Sequence, residues 1–175
     1  MRLIDRRRAL MAAKIATMPL VLYDAGAVSA KYGNLITVSG LKTGNRVSWE
    51  VLPTSLHNAK STSSGYATVF GDEKLDLSKF RTVKMSGRQW VQGNKRSAVS
   101  LILCEKVQEA TTLSDAFGQY NRAEFICTID QRWEDFTVSI DIADFAGNSS
   151  DCMIASIIYG VGSRIEAHIN KIWIE

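Results

Sequence analysis

The chain has 175 residues, of which 46% are apolar and 22% charged, with a mean hydropathy of −0.04 and a net charge of +3. These values exclude a disordered chain and are ordinary for a globular one. The length suffices for one domain plus an arm, a size that buries roughly 70% of its unfolded surface without staples.

The charge is concentrated at the front. Residues 1–14 hold five Arg/Lys and one Asp, a net +4 within a chain of +3, so the remainder is slightly acidic. From Leu3 to Met18 the apolar residues fall at helical spacing: Ile4, Met11, Ile15 and Met18 form a stripe with Leu3 and Leu10 beside it. Arg6, Arg7 and Arg8 lie off that stripe, and Pro19 ends it. The spacing predicts a basic amphipathic arm over 1–18. Ile4, Leu10, Met11 and Ile15 would supply its buried face, and Arg6, Arg7 and Arg8 its pairing with acidic partners. Residues 6–28 also have the outline of a signal peptide, but Lys14 breaks the apolar region.

After Pro19 the period changes to two. Val47, Trp49 and Val51 share one face, and GYATVF, KFRTVKM and SAVSLILC are short, β-branched or aromatic, and bounded by turn residues. EKVQEATTLSDAFGQY (105–120) is ambiguous between helix and loop, and is read as a loop. FTVSIDI sets Phe136, Val138, Ile140 and Ile142 on one side. MIASIIYG is apolar on both faces, as a central strand is, and Ile165, Ala167 and Ile169 alternate in the final segment. The pattern predicts roughly nine to eleven strands and no long helix between them, which selects an all-β sandwich or jelly roll over 19–175.

Motifs for bond chemistry are missing. There is no G-x-S-x-G, and the two histidines fall in an expected loop (His57) and on the polar phase of a strand (His168). Cys104, Cys127 and Cys152 are unpaired in spacing and sit in apolar company, which predicts buried free thiols in a reducing setting and no zinc site. Glu134-Asp135 and Glu73/Asp76 read as solvated strand-end acids. Asp141, Asp144, Asn148 and Asp151 read as a turn rather than a calcium loop, and Gly160-Val161-Gly162 as a turn rather than a phosphate cradle. No segment approaches the ~20 apolar residues that span a bilayer. Four excess positive charges without interleaved aromatics do not make a nucleic-acid site.

SGRQWVQGNKRS (86–97) carries the recognition chemistry. Arg88, Gln89, Trp90, Asn94 and Arg96 combine a flat indole with planar hydrogen-bonding groups, which suits a sugar: the ring stacks on C–H faces and the amides and guanidinium read hydroxyls. The competing expectation is a polar hairpin whose Trp packs on the sandwich edge. Trp133 is a lesser candidate of the same kind, and Trp49 and Trp173 are expected in core or interface.

IDRRRALMAAK, MPLVLYDAG, LDLSKFRTVKMSG and the terminal INKIWIE, taken in that order, resemble small minor structural proteins of Firmicutes phages and prophages, usually tail- or fibre-associated. The pieces span nearly the whole length. The region KYGNLITVSG lacks the Gly-Gly-Trp of many members, so no role of that Trp transfers, and no catalytic residue is implied. The resemblance implies a non-enzymatic virion protein assembled in the host cytoplasm. Its place would be tail, baseplate or fibre, and its partners would be other virion proteins in a homo-oligomer, a trimer for preference. A host cell-wall glycan is the candidate ligand, with no cofactor, metal or nucleic acid and no membrane insertion. A capsid-decorating protein and a carbohydrate-binding module are the alternatives.

Overall fold

The computed structural model describes residues 19–25, 27–28, 35–38, 50–60, 66–70, 74–93, 97–108, 110, 112–159 and 164–175. The expected arm over 1–18, with Ile4, Arg6, Arg7, Arg8, Leu10, Met11 and Ile15, lies outside them, as do Asn94, Arg96, Trp49 and Glu73.

The described strands are β1 (Leu20–Asp24), β2 (Ala27–Val28), β3 (Leu35–Val38), β4 (Glu50–Val51), β5 (Leu56–Lys60), β6 (Tyr66–Phe70), β7 (Thr82–Gln92), β8 (Ala98–Cys104), β9 (Tyr120–Ile126), β10 (Glu134–Asp141), β11 (Met153–Tyr159) and β12 (Arg164–Ile174). They form two antiparallel sheets. The larger runs β10-β7-β12-β1-β2, with β5 also paired to β12 and β4 to β5; the smaller runs β3-β6-β11-β8-β9. This is the expected β-sandwich of jelly-roll type.

Alternation builds the interface between the sheets. Val83, Met85 and Val91 of β7, Phe136, Val138 and Ile140 of β10, and Ile165, Ala167 and Ile169 of β12 are buried, while their chain neighbours face outward or are partly exposed. Opposite them stand Val99, Leu101 and Leu103 of β8 and Ile154 and Ile158 of β11. Each such side chain removed from water stabilises the fold by about 1.5–3 kcal/mol. The register of β12 slips between Ile169 and Lys171 on β7, a bulge centred on Asn170. One extra residue inverts the phase, so Ile172 and Ile174 return to the core where an unbroken alternation would have turned them out.

The smaller sheet is covered on its outer face. Ile102, Cys104, Ala155 and Ile157 pack under Val107, Ala110, Leu113, Ala116 and Phe117. The segment 105–120, expected as a loop, contains a short helix, α1 (Leu113–Phe117). Thr112 caps it by accepting from the Asp115 N–H at 3.2 Å, and Leu113, Ala116 and Phe117 fall at i, i+3 and i+4, so one face seals the sheet. A helix of five residues has no stability of its own, and its apolar face holds it in place.

MIASIIYG is a central strand as expected, flanked by β6 and β8. The expected hairpin at 86–97 is corrected: residues 86–92 are the second half of the 11-residue β7. Polar content concealed this, because Gly87 and Gln89 occupy inward positions where apolar residues are the norm. Cys104, Cys127 and Cys152 are buried free thiols, as expected. No described helix is long and apolar enough to cross a membrane.

Candidate functional site

With the smaller sheet covered, the outward face of the larger sheet is the surface where polar and aromatic side chains collect. Its pairing register aligns four of them. His57 on β5 lies opposite His168 on β12, His168 lies opposite Arg88 on β7, and Arg88 lies opposite Asp135 on β10. Directly paired residues project on the same side of a sheet with Cβ atoms roughly 4.5–5.5 Å apart, so the four make one row across four strands. Glu166, two residues before His168, shares its face.

Contacts tie the row together. The His57 Nε2 and a Glu166 carboxylate oxygen are 3.0 Å apart, and His168 Nε2 stands 3.7 Å from the same oxygen. The two imidazoles lie 4.6 Å apart, tilted by 32°. His168 Nδ1 is hydrogen-bonded to the hydroxyl of buried Ser55 at 2.8 Å. Burial holds the His168 pKa below its ordinary value, with His57 and the Arg88 charge acting in the same sense, so the imidazole is neutral at neutral pH.

Trp133 roofs one end. Its ring lies 5.2 Å from that of His168, and the Arg88 guanidinium sits 4.7 Å from its centroid. The loop that delivers Trp133 is pinned. The Glu134 carboxylate accepts from the Thr128 N–H (2.7 Å), the Thr128 hydroxyl (2.6 Å) and the Ile129 N–H (3.0 Å). Asp130 accepts from the Gly93 N–H at 2.8 Å, and the Gln131 N–H donates to the Val91 carbonyl at 2.7 Å. Beside this roof is a solvent-open depression of about 330 Å³ lined by Thr54, Ser55, Arg88, Asp135, His168 and Asn170.

The sequence candidates divide. Arg88 is exposed and central to the row. Trp90 lies on the same face, half-buried, with the Arg164 guanidinium 5.6 Å from its ring. Gln89 is corrected: it is fully buried, its amide donating to the Ser97 carbonyl at 2.9 Å and accepting from the Val99 N–H at 3.1 Å, so it braces the interior and meets no ligand. Trp173, expected in core or interface, stands on the outward face with the Lys171 ammonium 5.5 Å from its ring, because the bulge gives the inward positions to Ile172 and Ile174. His57, expected in a loop, is on a strand. Sequence reasoning passed over Ser55, His57, Asp135, Glu166 and His168 as members of this cluster. The available signal was that the only two histidines, and Glu166 with His168 at i and i+2, stand on polar strand phases.

Of the two acid pairs, Glu73/Asp76 lies partly outside the described residues. Glu134 is committed to its turn, whose bonds from Thr128 and Ile129 hold its pKa below the ordinary carboxylate value. In the 141–151 segment Asp141 ends β10 and accepts from the Ala143 N–H to cap a short 3-10 turn over Ile142–Asp144, Asn148 accepts from Ser150, and Asp151 pairs with Lys74.

No protein-family model matches the sequence, and no curated protein matches it. Solved structures do. A family 11 carbohydrate-binding module of the cellulosomal cellulase Lic26A-Cel5E of Clostridium thermocellum superimposes with a TM-score of 0.55 at 14% identity, over 90% of this chain and 94% of that one. A family 30 carbohydrate-binding module of the same organism gives 0.52 at 12%, over 90% and 97%. The lectin UEA-II complexed with galactose gives 0.51 at 9%, over 90% and 98%. At these identities the likeness establishes a shared fold.

Proposed function

We propose that this chain is a non-catalytic glycan-binding β-sandwich whose ligand lies along the outward face of the larger sheet. The observation that carries the proposal is the coincidence of Trp133, with Trp90 on the same face, and the row His168, Arg88 and Asp135 beside an open polar depression. Indole faces stack on the C–H faces of pyranose rings. Imidazole, guanidinium, carboxylate and the Asn170 amide offer donors and acceptors at fixed places for hydroxyls. The strands keep these groups in register, so little ordering is lost on binding. Support for the ligand class also comes from the structural neighbours, one of which is a family 11 module in complex with a β-1,3-1,4-mixed-linked tetrasaccharide, at a TM-score of 0.55 and 14% identity.

The test is affinity electrophoresis and calorimetry against mixed-linkage β-glucan and isolated bacterial cell wall. Trp133→Ala and Arg88→Ala each weaken binding at least about tenfold, as the loss of a stacking platform or a charged hydrogen-bond donor does. A glycan array blank at high protein concentration removes the proposal.

The sequence resemblance to phage structural proteins supports a setting for the same adhesion: a tail or fibre component that presents the sandwich to the host surface, joined to other virion proteins through residues 1–18. Labelling the protein on particles and imaging them tests that setting separately from the ligand.

A further inference from the structure

We propose that His57, Glu166 and His168 form a binding site for a first-row divalent transition metal, with Zn²⁺ the fitting ion. The proposal does not rest on the glycan reading, although His168 belongs to both sites and the titration is run without glycan.

The geometry originates in the sheet. The β5–β12 register sets His57 directly opposite His168, and the strand period of two puts Glu166 on the same face as His168. One ligand atom from each of the three lies within 4.8 Å of the others. A tetrahedral zinc with bonds near 2.0–2.1 Å holds its ligand atoms roughly 3.3–3.4 Å apart. The observed separations of 3.0 Å (His57 to Glu166) and 3.7 Å (His168 to Glu166) bracket that spacing. The two imidazole ligand atoms lie within 4.8 Å of each other, so side-chain rotation would bring all three groups onto one ion.

The donor set selects the metal. Two imidazoles and one carboxylate suit zinc and its neighbours, whereas calcium and magnesium demand oxygen shells. Three protein ligands leave the fourth position to solvent. The side chains are 21%, 24% and 13% exposed, open enough for an ion and a water to reach them. The supporting shell is also in place. Ser55 Oγ meets His168 Nδ1 at 2.8 Å, and when that nitrogen is the donor, Nε2 is left with its lone pair toward Glu166 and His57. Ser55 is itself held, its carbonyl accepting from the Leu52 N–H at 2.8 Å.

The sequence held no close Cys/His pair, and the ligands are brought together by strand pairing over a separation of 109 residues. The three thiols are buried, with pKa values pushed up to about 12 for Cys104 and Cys127 and about 11 for Cys152, which disfavours the thiolate form a metal would need.

The experiment is calorimetric titration of the untagged full chain with ZnCl₂ near neutral pH, with CaCl₂ as control. One saturable Zn²⁺ site is expected, with no calcium heat. His57→Ala, His168→Ala and Glu166→Gln each weaken it at least about tenfold, and Ser55→Ala, acting by position alone, weakens it by about tenfold. No saturable Zn²⁺ binding, or binding unchanged in all three ligand variants, overturns the proposal. A wild-type readout guards against misfolded variants. The chain has only two histidines, so imidazole ¹⁵N resonances report both during the titration. Shifts in both nitrogen sets support the site; resonances that stay still at saturating Zn²⁺ overturn it.

Discussion

Gly87 and His168 meet backbone to backbone: a Cβ placed on Gly87 would stand 2.0 Å from the His168 carbonyl oxygen and 3.0 Å from Ile169 Cα. The contact lies where β12 begins its bulge, and it brings Arg88 and His168 side by side on the outward face. Gly87→Ala forces β7 and β12 apart, since the obstacle is backbone and cannot rotate away. The expected loss is about 3 kcal/mol or more. Urea unfolding measures it, and a midpoint within error of wild type refutes it.

Gln89 is a polar residue in an apolar place. Its two bonds, to the Ser97 carbonyl and the Val99 N–H, tie β7 to the start of β8 across the sandwich. Gln89→Leu strands both backbone groups away from water, at a cost of about 2–4 kcal/mol. Glycan affinity per folded molecule stays at the wild-type value, because the side chain faces the core. Chemical denaturation paired with calorimetry on the same sample separates the two effects.

Glu134 ties the Trp133 loop to the sheet, and its pKa in the folded state lies below the ordinary value of 4.5 because Thr128 and Ile129 donate to the carboxylate. A group whose folded pKa is depressed stabilises the protein at pH above its unfolded pKa, and that contribution disappears as pH falls through the folded value. Glu134→Gln therefore lowers stability at pH 7 by about 1 kcal/mol, a modest figure because the turn is wet. The difference from wild type shrinks below pH 4.5. Urea midpoints at pH 7 and at successively lower pH measure it, and a pH-independent difference would count against the assignment.

The thiols test the interior. Burial pushes the Cys104 and Cys127 pKa values up to about 12 and that of Cys152 to about 11. Thiolate is the reactive form, so at pH 8 none of the three reacts with a disulfide reagent over minutes, and all three react in denaturant. Rapid labelling of the native protein at any one of them would contradict its burial.

Strand identity was legible where one face is apolar and the other polar, as in Phe136, Val138 and Ile140, or where both faces are covered, as in β11. It was obscured in two ways. Gly87 and Gln89 fill inward positions for reasons of contact and hydrogen bonding that hydrophobicity does not register, so the second half of β7 reads as a polar hairpin. The bulge at Asn170 inverts the phase of β12, and Trp173 looks inward by alternation alone. The helix at 113–117 gains its stability from the sheet beneath it, which no local pattern reveals. The site was legible in its chemistry at Arg88, Trp90 and Trp133 and hidden in its membership. His57, His168, Arg88 and Asp135 come from four strands, and only the pairing register places them in one row.

β12 lies inside the larger sheet with β7 along one edge and β5 and β1 along the other. The pairs β1–β2, β4–β5 and β7–β10 have no strand joining them until residues 164–174 emerge. Closing pairings of such long span is slow and comes late. During translation, then, β1 has only β2 beside it, β5 only β4 and β7 only β10, and the row of His57, His168, Arg88 and Asp135 is completed in the same step that makes the sheet continuous.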